Sequence, residues 1–149
     1  MKTLQIEIPD GYEINGFDIK SGKVTLKPVP KKVTERIKTI SDVVMDNGWD
    51  SLEHFNQSYS NLEKDERAHL LLKMIAKSLN EGWRPNWDNS NEYKYYPYFD
   101  MRSGFRFDDA YDHWASGSNV GSRLCFKTRE LAEYAGKTFE STYKDYFTF

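Results

Sequence analysis

The sequence predicts an α+β fold, and three observations carry that reading. Two well-separated stretches, residues 3–28 and 93–107, alternate apolar and polar side chains with the period of two that half-buried strands show. Between them, from Thr34 to Gly82, apolar residues recur at helical spacing, and a last stripe of Leu131, Ala135, Phe139 and Tyr143 has the same period. Strands and helices that are grouped along the chain, not alternated, predict an antiparallel sheet with helices on one side. The expected architecture is an N-terminal β-ribbon, three helices, and an antiparallel three-stranded sheet packed against a C-terminal helix.

A chain of 149 residues is the length of one ordinary domain, here expected as a ribbon over 1–30, a candidate docking arm, and an α+β core over 31–149. Its 38% hydrophobic and 15% aromatic content is too rich for a disordered chain, and a net charge of -2 sets up no global field toward nucleic acid or membrane. Any anion site must therefore be local. A single cysteine, Cys125, excludes an internal disulfide. With acids in the first ten residues and no long apolar run, the expectation is a soluble, cytoplasmic protein with no membrane partner.

In the ribbon, Leu4, Ile6 and Ile8 share one face, and Val24 and Leu26 repeat the pattern after a Ser21–Gly22 turn, giving an expected three strands. Asp10–Gly11 and Asn15–Gly16 supply further turn chemistry. A ribbon that small is marginal alone, so it is expected to dock on its own domain or on a partner. Pro28 and Pro30 then stiffen a connector, and Lys23 to Lys38 holds six basic residues against Glu35. That excess fits either a phosphate-contacting arm or a solvated linker.

Thr34 is the expected cap of a first helix carrying Ile37, Ile40 and Val44 to Asn47–Gly48. Asp50-Ser-Leu-Glu53 has the form of a capping box for a second, with Leu52, Phe55 and Tyr59 on one face. Ser60-Asn-Leu-Glu63 starts the third, where Ala68, Leu71, Leu72, Ile75 and Leu79 form a broad stripe and Gly82 stands at the left-handed terminator. Lys and Glu fill its other side.

Trp83-Arg-Pro-Asn-Trp87 follows; its two indoles either clamp a ligand or anchor the loop on the core. One face of the next strand reads Tyr93, Tyr95, Phe99 and Met101, the other Lys94, Tyr96, Tyr98 and Asp100, and Pro97 argues for an edge or a bulge. A three-residue loop with Gly104 as the left-handed residue pairs Phe99 with Phe107 and Met101 with Phe105, which keeps one face apolar. Asp108 to Gly121 reads as a long loop. Leu124 and Phe126 then point to the core, and Thr128 caps the final helix.

The segments IEIPDGYEIN with VTLKPVPKK, NEGWRPNWDNSNEYKYYPYFD and GSRLCFKTRELAEYAGKTF together resemble a group of small uncharacterised proteins encoded by phages, prophages and mobile elements of gut bacteria. The resemblance implies a mobile-element setting. It carries no activity, cofactor or catalytic residue.

No Gly-rich phosphate loop, nucleophile elbow or H-E-x-x-H helix is present. His54, His69, His113 and Cys125 stand at no zinc spacing, so neither a metal nor a cofactor is expected. Asp108, Asp109 and Asp112 beside His113 invite a Mg²⁺-dependent nuclease reading, against which stands ordinary Asp turn chemistry. No catalytic residue is assigned, and a non-catalytic module that binds another protein is expected. The alternative is a single-stranded nucleic-acid binder with Tyr96, Tyr98, Arg106 and Arg123 on one open sheet face, although residues 83–126 hold five basic against six acidic side chains. Trp83, Trp87 and Trp114 complete the candidate binding residues.

Overall fold

The computed structural model describes residues 5–102 and 104–148, with only the backbone of Asp109 and Ala110. It is α+β, and the chain divides into two units, residues 1–32 and 33–149.

The first unit is a two-stranded ribbon. β1 (Tyr12–Asp18) pairs antiparallel with β2 (Lys23–Pro28), matching Ile14 with Leu26 and Phe17 with Val24. Ile6 and Ile8 form no third strand, and Leu4 lies outside the described residues. Asn15–Gly16 is not a turn: the register shifts there, and this bulge brings Phe17 onto the face of Tyr12, Ile14, Val24 and Leu26. The turn between the strands is organised by Asp18, whose carboxylate accepts from Lys20 N and from the Ser21 N and Oγ.

In the second unit the expected first helix is two, α1 (Val33–Arg36) and α2 (Ile40–Asp46). The break lies at Thr39, whose Oγ1 accepts from Asp42 N at 3.1 Å while Asp42 Oδ2 accepts from Thr39 N at 2.8 Å. This reciprocal capping starts a new helix inside a continuous apolar stripe. α3 (Leu52–Ser58) is capped by Ser51 instead of Asp50, and its buried Phe55 packs with Trp49 and Tyr59. α4 (Lys64–Asn80) starts later than expected, at Glu63, whose N–H donates to Glu66. It ends on two left-handed residues, Glu81 at φ 48° and Gly82 at φ 86°.

β3 (Lys94–Asp100) and β4 (Arg106–Trp114) form an antiparallel hairpin in the expected register, Phe99 against Phe107 and Asp100 against Arg106, with Gly104 at φ 100°. Ser103 lies outside the described residues. A third antiparallel pairing comes from Phe126, which exchanges both backbone hydrogen bonds with Tyr95. Tyr95 therefore points its N–H away from β4, and by alternation so would residue 97. Pro97, which has no N–H, sits where, among the described residues, that edge has no further strand partner.

Asp108 to Gly121 is not one loop. β4 runs on to Trp114, pairing Tyr111, Asp112, His113 and Trp114 with Pro97 back to Lys94. The register shifts after Tyr98, where the extra residues of β4 are Asp108 and Asp109. Cross-strand aromatic contacts, Tyr93 with His113 at 4.5 Å and Tyr95 with Tyr111 at 5.4 Å, outweigh the weak strand propensity of the Asp residues.

The last helix is also two, α5 (Arg129–Thr138) and α6 (Glu140–Phe147), joined at Phe139. Leu131, Ala135, Phe139 and Tyr143 are nevertheless all buried, as their spacing predicts. They meet Phe99 and Phe126 in one core with Leu72, Ile75 and Leu79 of α4, and Phe105, Phe107 and Leu124 pack against it. Among the described residues no helix is long and apolar enough to cross a membrane.

Candidate functional site

The C-terminal half of α4 fixes one wall of an open groove of about 720 Å³. Lys73, Ala76, Lys77 and Asn80 lie at helical spacing along it; Gly82, Trp83, Arg84 and Pro85 turn across its end, and Ser122 and Arg123 close the other side. That size falls within the range of roughly 300–1,000 Å³ usual for small-ligand sites.

Asn80 holds the two walls together. Its side chain is buried, and Nδ2 donates to the Cys125 carbonyl at 2.8 Å while Oδ1 accepts from Lys127 N at 3.0 Å. One amide thus satisfies a donor and an acceptor of an extended segment, as a neighbouring strand would. Ser122 is fixed in turn by the Trp87 indole N–H, which donates to its Oγ at 2.7 Å.

The electrostatics are one-sided. Lys73, Lys77, Arg84 and Arg123 line the groove, no carboxylate does, and none of the four makes an ion pair with a described residue. Of the acids close in sequence, Asp88 is exposed, while Glu81 and Glu92 are engaged. Glu81 pairs with Arg36 at 2.9 Å and Lys127 at 3.7 Å. Glu92 accepts from Asn86 N, which with smaller contributions from Lys94 and Trp83 holds its carboxyl below the usual range. His69, one turn before Lys73, reports the field: burial first, then Lys73 and Arg123, push its pKa down.

Below this loop, Lys94 is caged. Its ammonium is 1% exposed and donates to the carbonyls of Asn86, Asn89, Glu92 and Ala115 at 2.5 to 3.2 Å, with Glu92 Oε1 at 3.3 Å and the Trp87 ring centroid at 5.3 Å. The expected placement of Lys94 on a solvent face is therefore corrected. The cage shapes the loop that carries Trp87 toward Ser122.

The expected Tyr and Arg face is not assembled. Tyr96 is 8% exposed, because Trp114 and Asp112 fold over it: its hydroxyl donates to Asp112 at 2.8 Å and accepts from Trp114 Nε1 at 2.6 Å. Burial and the Asp112 carboxylate raise its pKa. Tyr98 is exposed, but Arg106 is paired with Asp100 at 3.6 Å and Asp108 at 3.9 Å. Trp114 is committed to Tyr96, and Trp87 to Ser122 and Lys94. Of the seven candidates, the structure brings Arg123 and Trp83 together, in the groove. Both indoles flanking Arg84–Pro85 therefore anchor the loop, Trp87 on Ser122 and Trp83 on Glu92, and half-buried Trp83 also lines the groove.

The carboxylates near His113 do not converge. Asp108 pairs with Arg106, Asp112 accepts from Tyr96 and from His113 N, and His113 packs among Tyr93, Tyr95 and Tyr111. The side chain of Asp109 lies outside the described residues. Among the described residues no three His, Cys, Asp or Glu side chains form a group that could hold a metal ion. Cys125 is buried, and that burial pushes its thiol up to about 11, far from a reactive thiolate.

Sequence reasoning passed over Lys73, Lys77 and Arg84. The available signal was the i, i+4 lysine pair on the last turns of a helix that ends at Gly82–Trp83. Comparison of the chain with protein-family models, curated proteins and solved structures finds no match.

Proposed function

We propose that the chain is a non-catalytic binding module that holds a phosphate-bearing partner in the groove beside Trp83. The observation that carries this reading is the set of four cations, Lys73, Lys77, Arg84 and Arg123, around a groove that no carboxylate lines among the described residues. In a chain of net charge -2, four cations without an ion pair to a described residue, set around one concavity, attract anions locally. The lining contains no Cys, His, Asp or Glu to act as nucleophile or general base, which favours binding over catalysis. In the mobile-element setting that the sequence resemblance implies, a nucleic-acid strand is a natural source of such a ligand.

The test is fluorescence anisotropy with a labelled ten-nucleotide single strand at low salt. Contact with four phosphates predicts a salt slope of about −3 in log K against log salt. Binding should disappear in Lys73→Glu/Lys77→Glu. Failure to bind, or binding untouched by that double variant, rejects the groove as the site.

A second reading, a protein partner, is favoured by the ribbon. Tyr12, Ile14, Phe17 and Leu26 share one face and are 37–57% exposed, and a two-stranded ribbon has no second layer of its own to bury them. The partner this face fits is a protein with an apolar surface of its own. A photo-crosslinker at Leu26, used in cells carrying the native gene, should give one discrete adduct that Phe17→Ser abolishes; no adduct removes this reading.

A further inference from the structure

We infer that the ligand of the groove is a nucleotide unit, its phosphate on the cations and its base against Trp83. This deepens the phosphate-binding reading and rests on it. The groove is not uniformly cationic. Lys73 and Lys77 come from the helix and Arg123 from the far wall, whereas Gly82, Trp83 and Pro85 contribute apolar surface to the same lining. A site for bare polyanions needs only charge. An apolar strip with an aromatic ring, set among cations, matches a ligand that is itself divided into an anionic backbone and a flat, weakly hydrated base.

The surroundings keep the strip open. Gly82 has φ 86°, and a Cβ built there meets nothing within 4 Å, so its backbone borders free space. Asn80 has both ends of its amide used by Cys125 and Lys127, which leaves it as a wall and not as a competing donor. Trp87 is drawn off to Ser122 and Lys94. Trp83, its indole held to Glu92, is the aromatic residue of the lining that a base can meet. In a duplex the bases are paired and stacked, so the reading requires a single strand or a free nucleotide. Four cations, on two walls and the end that joins them, exceed the charge of one monophosphate and favour successive phosphates of a strand.

The experiment compares four ligands on the wild-type chain at one salt concentration: a ten-nucleotide oligoadenylate, the same sugar-phosphate strand without bases, inorganic polyphosphate of equal charge, and adenosine triphosphate. Oligoadenylate should bind tightest and quench tryptophan fluorescence, and the abasic strand should bind roughly 5- to 150-fold more weakly, the range that stacking of one base spans. Trp83→Leu should lose that margin for oligoadenylate while leaving polyphosphate affinity unchanged, with circular dichroism confirming its fold. Triphosphate binding as tight as the oligonucleotide supports the base-plus-phosphate chemistry and names the free nucleotide as its source. Equal affinity for oligoadenylate, abasic strand and polyphosphate overturns the inference but leaves the anion-binding module standing. No binding by any of the four overturns both.

Discussion

Gly136 of α5 lies so close to Phe107 of β4 that a Cβ added to it would stand 2.5 Å from the ring carbon Cδ2 and 2.9 Å from the Pro97 Cβ. The glycine is there for close approach: it lets the helix descend onto the hairpin that carries Phe107 and Pro97. In an exposed helix Gly136→Ala would gain about 1 kcal/mol of propensity. Here the overpacking, on the order of 1–3 kcal/mol, exceeds that gain. Gly136→Ala is expected to lower the urea midpoint, and Phe107→Leu in the same chain to restore part of it. An alanine variant as stable as the wild type would show that the helix does not seat on Phe107.

Lys94 makes a second prediction because its charge is both buried and fully used. Lys94→Met keeps the chain length but leaves the carbonyls of Asn86, Asn89, Glu92 and Ala115 without their donor. The expected cost is on the order of 3 kcal/mol, with a change in the emission of Trp87, whose ring faces the ammonium. Lys94→Arg should not rescue it, since a planar guanidinium cannot present its donors to a cage built around one point charge. Urea unfolding followed by tryptophan fluorescence checks both variants; a Met variant within experimental error of wild type would reduce the cage to a surface feature.

The parts of this fold that were legible in the sequence are those that local patterns determine. The α4 stripe, the terminator at Gly82, the Phe99–Phe107 register and the buried face of the last helices follow from periodicity and turn chemistry alone. What was missed depends on competition or on distance along the chain. The Ile37, Ile40 and Val44 spacing hid the capping pair at Thr39 and Asp42, because a helix break need not interrupt an apolar stripe. The Asp residues of 108–112 read as loop, and only the aromatic partners on β3 make them strand. Trp83 and Arg123 were each noticed, but their meeting is set by Asn80 gripping Cys125 and Lys127, a tertiary contact that no local signal announces. The burial of Lys94 breaks the alternation rule outright, since the loop folds around the ammonium.

Asn80 supplies the third prediction. Asn80→Asp keeps an acceptor for Lys127 N but turns a carboxylate oxygen toward the Cys125 carbonyl, so a hydrogen bond becomes a repulsion. The variant is expected to lose about 2–3 kcal/mol at pH 7, more than a bond merely removed, because a buried polar group is left opposed. Once protonated, the introduced carboxyl can donate again, so the deficit relative to wild type should shrink below about pH 5. The same variant should bind the single strand more weakly at neutral pH, as the groove walls part and acquire a negative charge. Parallel stability curves for variant and wild type from pH 7 to pH 4 would disprove the pairing.

His69 gives the pH dependence of the groove. Its ring packs on Tyr146 at 5.4 Å, and burial first, then Lys73 and Arg123, holds its pKa below the ordinary 6.5. The folded chain therefore takes up a proton less readily than the unfolded chain. The stability tied to this residue is complete above about pH 6.5 and is lost as the pH falls from there through the folded value. His69→Gln should flatten the fall in urea midpoint between pH 7.5 and pH 5.5; an unchanged slope would assign it to other groups. A phosphate held between Lys73 and Arg123 offsets the two electrostatic causes and leaves burial alone. The imidazole pKa should then rise when oligoadenylate is added, read from the ring protons by NMR, and by reciprocity the strand should bind more tightly as the pH drops through that interval. A ring that titrates identically with and without the oligonucleotide would put the ligand somewhere other than this groove.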